Sequence, residues 1–197
     1  GQGFSNTKMV SINLGTSGSV QCYTGNNEMF INGLLSNLLW SSNLKHYFLV
    51  EGTINASNSL FYWLEDHLNI PHKKMKWDER CEKTKTGGVL IPDFTGIASP
   101  YWVQPKETVF YKLNNTTKDE IIRAGMESIG FFVHDIMQTL KKDGFEITSI
   151  QSAGGGARKP LLQFMADLLD IPVKRSKLKD KTALGVFRLL FRNQFGE

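Results

Sequence analysis

Hydrophobic and polar residues alternate with a period of two in the first part of the chain. This pattern over residues 8–14 predicts a half-buried β-strand. The turn sequence GTSG follows at 15–18 and an extended pattern resumes over 19–23, so the three segments predict a β-hairpin. Residues 46–50 predict another strand, whereas residues 30–44 indicate irregular or paired-strand structure.

Hydrophobic residues recur at intervals of three or four in two later segments, which predicts helices. The first covers residues 60–68 and follows a polar segment of small residues that starts at Glu51. The second helix is longer. The capping-box signature of Thr117 and Glu120 marks its start, and it ends just before Gly144. We expect this long helix to be the main helix packed on the sheet.

Shorter elements are predicted in the rest of the chain. Residues 89–91 predict a short strand, and the segment from there to residue 102 contains two prolines and two aromatic residues, which favours an irregular loop. Near the end of the chain, residues 173–176 predict a strand and residues 182–191 a helix. The whole order of elements is that of an α/β protein.

Residues 145–172 predict a strand, a glycine turn and a helix in succession. The turn contains Gly154, Gly155 and Gly156, and Pro160 opens the helix. Glycines at the carboxyl end of a strand let the backbone approach a ligand, and the following helix N-terminus suits a ribose or a phosphate. We therefore predict a nucleotide site here; the alternative is a tight strand-to-helix turn without a ligand.

The hairpin tip carries a second group of candidate ligand-binding residues. Gly15, Thr16 and Ser17 expose backbone N–H groups and two hydroxyls in a space that can admit phosphate oxygens. The alternative is a plain hairpin turn in which the two hydroxyls bond only to their own backbone.

Polar residues at the helices allow two further interpretations. Asn55, Ser57 and Asn58 precede or open the first helix, so they either cap it or face a ligand beyond its N-terminus, and we expect capping. His134 and Asp135 are adjacent on the long helix. Their side chains should point in different directions, which argues against a catalytic pair.

Composition indicates one soluble globular domain over residues 1–197, with 41% hydrophobic and 21% charged residues. No apolar run of about 18 residues and no leader pattern occur, so we expect neither a membrane span nor a signal peptide. Cys22 and Cys81 show no metal-binding or CxxC spacing, and a reduced, cytoplasmic setting is the default expectation.

The net charge of +4 arises mainly in residues 72–85 and 174–181. The first segment is interleaved with acidic residues, and we expect both segments to be solvated surface, with no nucleic-acid partner. A mild positive field would also attract a polyanion such as ATP.

Five segments, which together span nearly the whole chain, resemble the C-terminal domain of the FGGY carbohydrate kinases. They are NLGTSGSV from Asn13, EGTINASNSLFYWLED from Glu51, IPDFTGIASPYW from Ile91, SAGGGARKPLLQFMADLLDIPV from Ser152 and TALG from Thr182. The resemblance implies a ribonuclease H-like domain of the actin/hexokinase ATPase type, with a mixed sheet, antiparallel hairpin strands and αβα units. It also implies ATP-dependent transfer of a phosphate to a sugar or polyol.

The resemblance also implies roles for particular residues. The hairpin tip would contact the β and γ phosphates of ATP, and the three glycines would line the adenosine pocket. Lys159 stands where relatives often have a small polar side chain, and Asn58 with Tyr62 matches a second adenine-side position. The implied nucleotide-binding residues are Gly15, Thr16, Ser17, Asn58, Gly154, Gly155, Gly156 and Lys159.

Some of the family's functional parts are not expected in this chain. The family's catalytic aspartate lies just upstream of the hairpin, and this chain begins at Gly1, past that point. Its magnesium-binding acids and sugar pocket lie mostly in an N-terminal domain. We therefore expect no catalytic or metal-binding residue in this chain, and we expect the isolated chain to be inactive. Its expected ligand is ATP or ADP, and a homodimer is a possible assembly.

Departures from the family pattern leave other functions open. Residues 103–108 read VQPKET where the family often has Asp-Pro-x-Ala-Arg-Gly, and Ala153 precedes the glycines where glycerol kinases have aspartate. These departures and Lys159 suggest a catalytically silent nucleotide-binding or regulatory module as the alternative. A nuclease of the related fold, prompted by a pI near 9.0, would need converging carboxylates that Asp93 and Asp135 do not provide.

Overall fold

The computed structural model describes residues 6–41, 45–104, 106–176 and 181–191, except for the side chains at 181, 182, 188 and 189. The strands are β1 (Met9–Leu14), β2 (Gly18–Gly25), β3 (Leu35–Ser41), β4 (His46–Ile54), β5 (Val89–Ile91), β6 (Val109–Tyr111), β7 (Ser149–Ala153) and β8 (Val173–Arg175). The helices are α1 (Asn58–His67), α2 (His72–Met75), α3 (Trp77–Lys83), α4 (Lys118–Lys142), α5 (Lys159–Leu169) and α6 (Lys181–Leu190).

The main sheet has six strands in the order β3-β4-β2-β1-β7-β8. Its first four strands pair antiparallel, whereas β1 pairs parallel with β7, and β7 pairs parallel with β8. The predicted hairpin and the predicted mixed α/β sheet are thus confirmed. A separate two-stranded sheet joins β5 and β6.

The long helix α4 forms much of the hydrophobic core. Its capping box is confirmed, because the Thr117 hydroxyl accepts from the Glu120 N–H and the Glu120 carboxylate accepts from the Thr117 N–H. The six apolar residues at the predicted helical spacing are all buried, and they are Ile122, Met126, Ile129, Val133, Ile136 and Leu140. Ile136 packs against Gly52 of β4 so closely that a Cβ at that glycine would lie 2.5 Å from the isoleucine side chain. This contact places α4 directly on the sheet.

Two predicted strands differ from the structure in extent or burial. β4 continues to Ile54, although the residues after Glu51 look like the polar start of a helix. The extension has a partner on each edge, since Thr53 pairs with Ser19 of β2 and its carbonyl accepts from the Ser99 N–H. β1 was predicted to be half-buried, but more than half of it is buried, because Ser11 is buried in addition to apolar residues.

The remaining element predictions are confirmed within small shifts of boundary. The segment 30–44 contains β3, with residues 42–44 outside the described part of the chain. The helix predicted over 182–191 is α6, which starts one residue earlier. Within the described residues, no helix combines the length and the apolar character needed to cross a membrane.

Candidate nucleotide site

The hairpin tip, residues 15–17, packs its backbone carbonyls against the N-terminus of α1. The Gly15 carbonyl accepts from the Asn58 N–H at 3.0 Å. The Thr16 carbonyl accepts from the backbone N–H groups of Ser57 and Ser59 at 3.2 and 3.1 Å, and from the Ser59 hydroxyl at 3.0 Å. These carbonyls satisfy donors that a helix N-terminus otherwise leaves unpaired. The side chains of Thr16 and Ser17 remain exposed.

This backbone cap explains why the expected side-chain caps are absent from α1. Ser57 is the N-cap residue, but its side chain makes no capping hydrogen bond and its buried hydroxyl has no protein partner in the described chain. Asn55 instead donates its amide to the carbonyls of Thr95 and Gly96, both at 3.1 Å. The capping prediction for these two residues was wrong, because the hairpin tip occupies the capping position.

The glycine turn, residues 154–156, lies against the end of β1. The Gly156 N–H donates to the Leu14 carbonyl at 2.9 Å, and Gly154 has a φ of +93°. A Cβ at Gly154 would lie 2.2 Å from the same carbonyl oxygen, so no other residue fits there without rearrangement. The turn therefore depends on Gly154 for its conformation.

The tip and the turn lie at the same end of the sheet. Asn13 and Ala153 are partners in the parallel pair β1–β7, and each strand runs directly into one of the two bends. The carboxyl ends of parallel strands are the usual location of ligand sites in α/β proteins. Asn58 connects the two bends, since its backbone donates to the tip while a Cβ at Gly155 would lie 3.4 Å from its side-chain nitrogen.

A cavity of about 520 Å³ opens beside the glycine turn. This volume lies within the range typical of small-molecule sites, roughly 300–1,000 Å³. Its wall contains a stacked aromatic pair, Phe61 of α1 and Trp77 of α3, with ring centroids 4.1 Å apart and planes inclined by 1°. Asn58 and Gly155 lie at its edge, while Tyr62 stands 55% exposed beside them. The cavity thus combines flat apolar surface with a few polar groups.

Of the two basic residues after the glycine turn, the structure directs Arg158 to the cavity. Arg158 donates from Nη1 to an Asp78 oxygen at 3.1 Å and from Nε to the Gly155 carbonyl at 3.0 Å. The ammonium of Lys159, which the sequence placed in the site, is 85% exposed and lies 3.3 Å from Glu82. The structure places seven of the eight predicted residues at this end of the sheet, whereas Arg158, which was not among the eight, lines the cavity and Lys159 does not.

The charged segment 72–85 contributes more than the solvated surface that the sequence predicted. It folds into α2 and α3, which together with Lys76 between them supply half of the cavity lining, and Met75 and Cys81 are buried. Within the charged run, the apolar residue Met75 and the aromatic residue Trp77 were the sequence features that could have predicted this contribution.

Burial raises the pKa of the Cys81 thiol to about 12, so this residue is no nucleophile near neutral pH.

Other chemically active groups lie away from the cavity. His134 Nδ1 is 3.2 Å from an Asp135 oxygen, so the expectation that these side chains diverge was wrong, and Tyr101 donates its hydroxyl to the same carboxylate at 2.8 Å. That hydrogen bond raises the pKa of Tyr101. No three His, Cys, Asp or Glu side chains in the described chain come together as a possible metal site.

Comparisons with known proteins identify the family of this chain. Residues 10–193 match the family model of the FGGY carbohydrate kinases, C-terminal domain. A glycerol kinase from Enterococcus casseliflavus is 33% identical over 183 residues, which are 90% of this chain and 36% of that protein. The chain therefore spans about a third of the length of the curated relatives it matches.

Solved structures share the fold. The Plasmodium falciparum glycerol kinase with ADP has a TM-score of 0.81 and 26% identity, covering 92% of this chain and 37% of that one. A xyloylose kinase from Brucella ovis has a TM-score of 0.83 and 20% identity, covering 99% and 41%. The expected actin- and hexokinase-like ATPase fold is thus confirmed. This chain belongs to the FGGY family of carbohydrate kinases, and it matches the C-terminal domain of that family.

Proposed function

We propose that this chain is the nucleotide-binding half of an ATP-dependent carbohydrate kinase. One observation carries the proposal: the hairpin tip and the glycine turn meet at the shared end of β1 and β7, next to a cavity that Asn58 and Gly155 border. A ligand with a flat ring at one end and a polyanion at the other matches this arrangement. ATP and ADP are such ligands.

In this proposal the adenosine occupies the cavity and the phosphates extend toward the tip. The stacked wall of Phe61 and Trp77 supplies apolar surface for the base, and Gly155 leaves room for it because a glycine has no side chain. The exposed hydroxyls of Thr16 and Ser17 can donate to phosphate oxygens. The N-terminus of α1 does not compete for the phosphates, since the tip carbonyls already accept from its N–H groups.

Phosphoryl transfer needs further groups, which we assign to the rest of the parent protein. The reaction depends on positioning and on charge stabilisation, so the acceptor hydroxyl, a base and Mg²⁺ must all reach the γ-phosphate. The relatives are about two and a half times as long as this chain, which leaves room for a sugar-binding domain. The identity of 33–35% to glycerol kinases supports a polyol, glycerol first, as the acceptor.

Two measurements on the isolated chain test the proposal. Titration with ADP and with ATP, followed by calorimetry or by tryptophan fluorescence, should show saturable binding of one nucleotide. Incubation with ATP, Mg²⁺ and glycerol, xylulose or gluconate should give no phosphate transfer above background. Failure to bind either nucleotide would refute the assigned site. Phosphate transfer by the isolated chain would refute the proposal that the remaining catalytic groups lie elsewhere in the parent protein.

A further inference from the structure

Arg158 lines the cavity, and its side chain contacts both the glycine turn and α3. Its Nε donates to the Gly155 carbonyl and its Nη1 donates to Asp78 at the start of α3. A guanidinium presents its donors in a rigid planar fork, so two acceptors bound by different nitrogens are fixed relative to each other. The Arg158 side chain thereby links Gly155 directly to the start of α3.

The two partners of Arg158 belong to the two surfaces between which the proposed nucleoside lies. Gly155 borders the cavity on the side of the turn, and Asp78 follows Trp77, whose ring stacks on Phe61. Movement of α3 away from the turn would therefore carry the aromatic wall with it. The side chains of Arg158 and Asp78 are 49% and 31% exposed, so the pair adds little to global stability.

We propose that Arg158 is the positioning residue of the nucleotide site, where it fixes the width of the nucleoside cavity by binding the Gly155 carbonyl and the Asp78 carboxylate at once. This inference rests on the proposed function, because it names the side chain that sets the geometry of that same site. Arg158 does not contact the phosphates in this arrangement. Removal of the Arg158 side chain should therefore weaken the binding of every nucleotide by the same factor, whatever its number of phosphates.

The neighbouring pair of Lys159 and Glu82 is a matched control. It joins the same two helices, α5 and α3, at an N–O distance of 3.3 Å, but neither residue lines the cavity. A purely structural link between α5 and α3 would be weakened about equally by loss of either pair. Only the pair of Arg158 and Asp78 should affect nucleotide affinity.

The first experiment measures the dissociation constants of AMP, ADP and ATP for the chain and for R158A, D78A, R158K and the control E82A. We expect R158A and D78A to raise each constant about fivefold, the scale of a partly exposed ion pair, and E82A to change it less than about twofold. R158K should recover part of the loss, since an ammonium keeps the charge but lacks the planar fork that places separate nitrogens on the two acceptors. Thermal unfolding midpoints of all four variants should stay close together.

A double-mutant cycle completes the test. R158A/D78A should be no weaker than R158A alone, because the two residues act as one unit. The proposal would be overturned by a loss of affinity in E82A equal to that in R158A, or by fully additive losses in the double variant. A loss that grows from AMP to ATP would also overturn it, because that trend indicates a direct phosphate contact. If the unmodified chain binds none of the three nucleotides, the proposed function fails first, and this inference fails with it.

Discussion

The hairpin tip and the glycine turn are both short bends at the same sheet edge, yet they use their backbones in opposite ways. In the tip, the carbonyls of Gly15 and Thr16 accept from the N-terminus of α1, which leaves the hydroxyl side chains exposed. In the turn, the N–H of Gly156 donates to Leu14, and the backbone at Gly154 leaves no room for a side chain. In the proposed nucleotide site, one bend would therefore present side chains to the ligand and the other would present backbone.

Under the proposed function, this difference distinguishes a glycine that is needed for folding from a glycine that is needed for the ligand. Gly154 has a positive φ and a carbonyl oxygen where its Cβ would be, whereas a Cβ at Gly155 would make only an ordinary contact with Asn58. A run of three glycines in the sequence gives no indication of this division. The following predictions test it, beginning with the largest expected effect.

Gly154→Ala should cause the largest loss of stability. The new Cβ would lie 2.2 Å from the Leu14 oxygen at a φ of +93°, so the turn must rearrange at a cost of about 3 kcal/mol. Chemical denaturation of the variant measures this change. Gly15→Ala is the control, since its Cβ would make only an ordinary contact, 3.5 Å from the Ser17 oxygen. Equal destabilisation of both variants would show that the two bends do not differ in their need for glycine.

Gly155→Val should leave the fold intact and reduce nucleotide binding by on the order of tenfold or more, because its side chain would enter the space proposed for the nucleoside. Titration with ADP, together with a thermal unfolding curve, measures both effects. Gly87→Val is the control in open space, where no atom lies within 4 Å of the added Cβ. Unchanged ADP affinity in a folded Gly155→Val variant would remove Gly155 from the site.

Thr117→Ala should destabilise the protein by about 1 kcal/mol, the typical cost of removing a helix N-cap. The hydroxyl that accepts from the Glu120 N–H at the start of α4 would be lost. Urea unfolding monitored at 222 nm measures the change. A stability equal to that of the unmodified chain would show that α4 does not depend on its capping box.

Ser57→Ala should have the smallest effect, although Ser57 stands at the same N-cap position of α1. Its buried hydroxyl makes no hydrogen bond to the described protein, so its removal should leave stability within about 0.5 kcal/mol or raise it slightly. The same urea experiment, run beside Thr117→Ala, gives the comparison. A loss as large as that of Thr117→Ala would mean that the tip carbonyls are not the effective cap of α1.

Local patterns in the sequence were sufficient for the elements whose burial follows a simple period. The alternation in residues 8–14 predicted β1, and the spacing from Ile122 to Leu140 predicted the buried face of α4. The glycine turn was also predictable, because strand, glycines and helix follow each other directly in the chain. These features depend on neighbours in sequence, which is why sequence reasoning found them.

Features that depend on distant contacts were missed. Nothing near Asn55 or Ser57 in sequence shows that the hairpin tip caps α1 instead. The role of Arg158 depends on Asp78, which is 80 residues away, and Lys159 looks equivalent until its contact with Glu82 is seen. The extension of β4 to Ile54 depends on Ser99, whose backbone and hydroxyl bond to Thr53.

The parallel pairing of Met9 with Ser149 has a consequence for biosynthesis. The two bends cannot meet until β7 and α5 have left the ribosome, although the hairpin is made among the first residues of this chain. Pairings between such distant segments form late and slowly, because a long stretch of chain must first be brought together. A nascent chain that stalls before residue 149 should therefore contain the folded hairpin but no nucleotide pocket. Nucleotide could stabilise the folding protein only when synthesis of this segment is nearly complete.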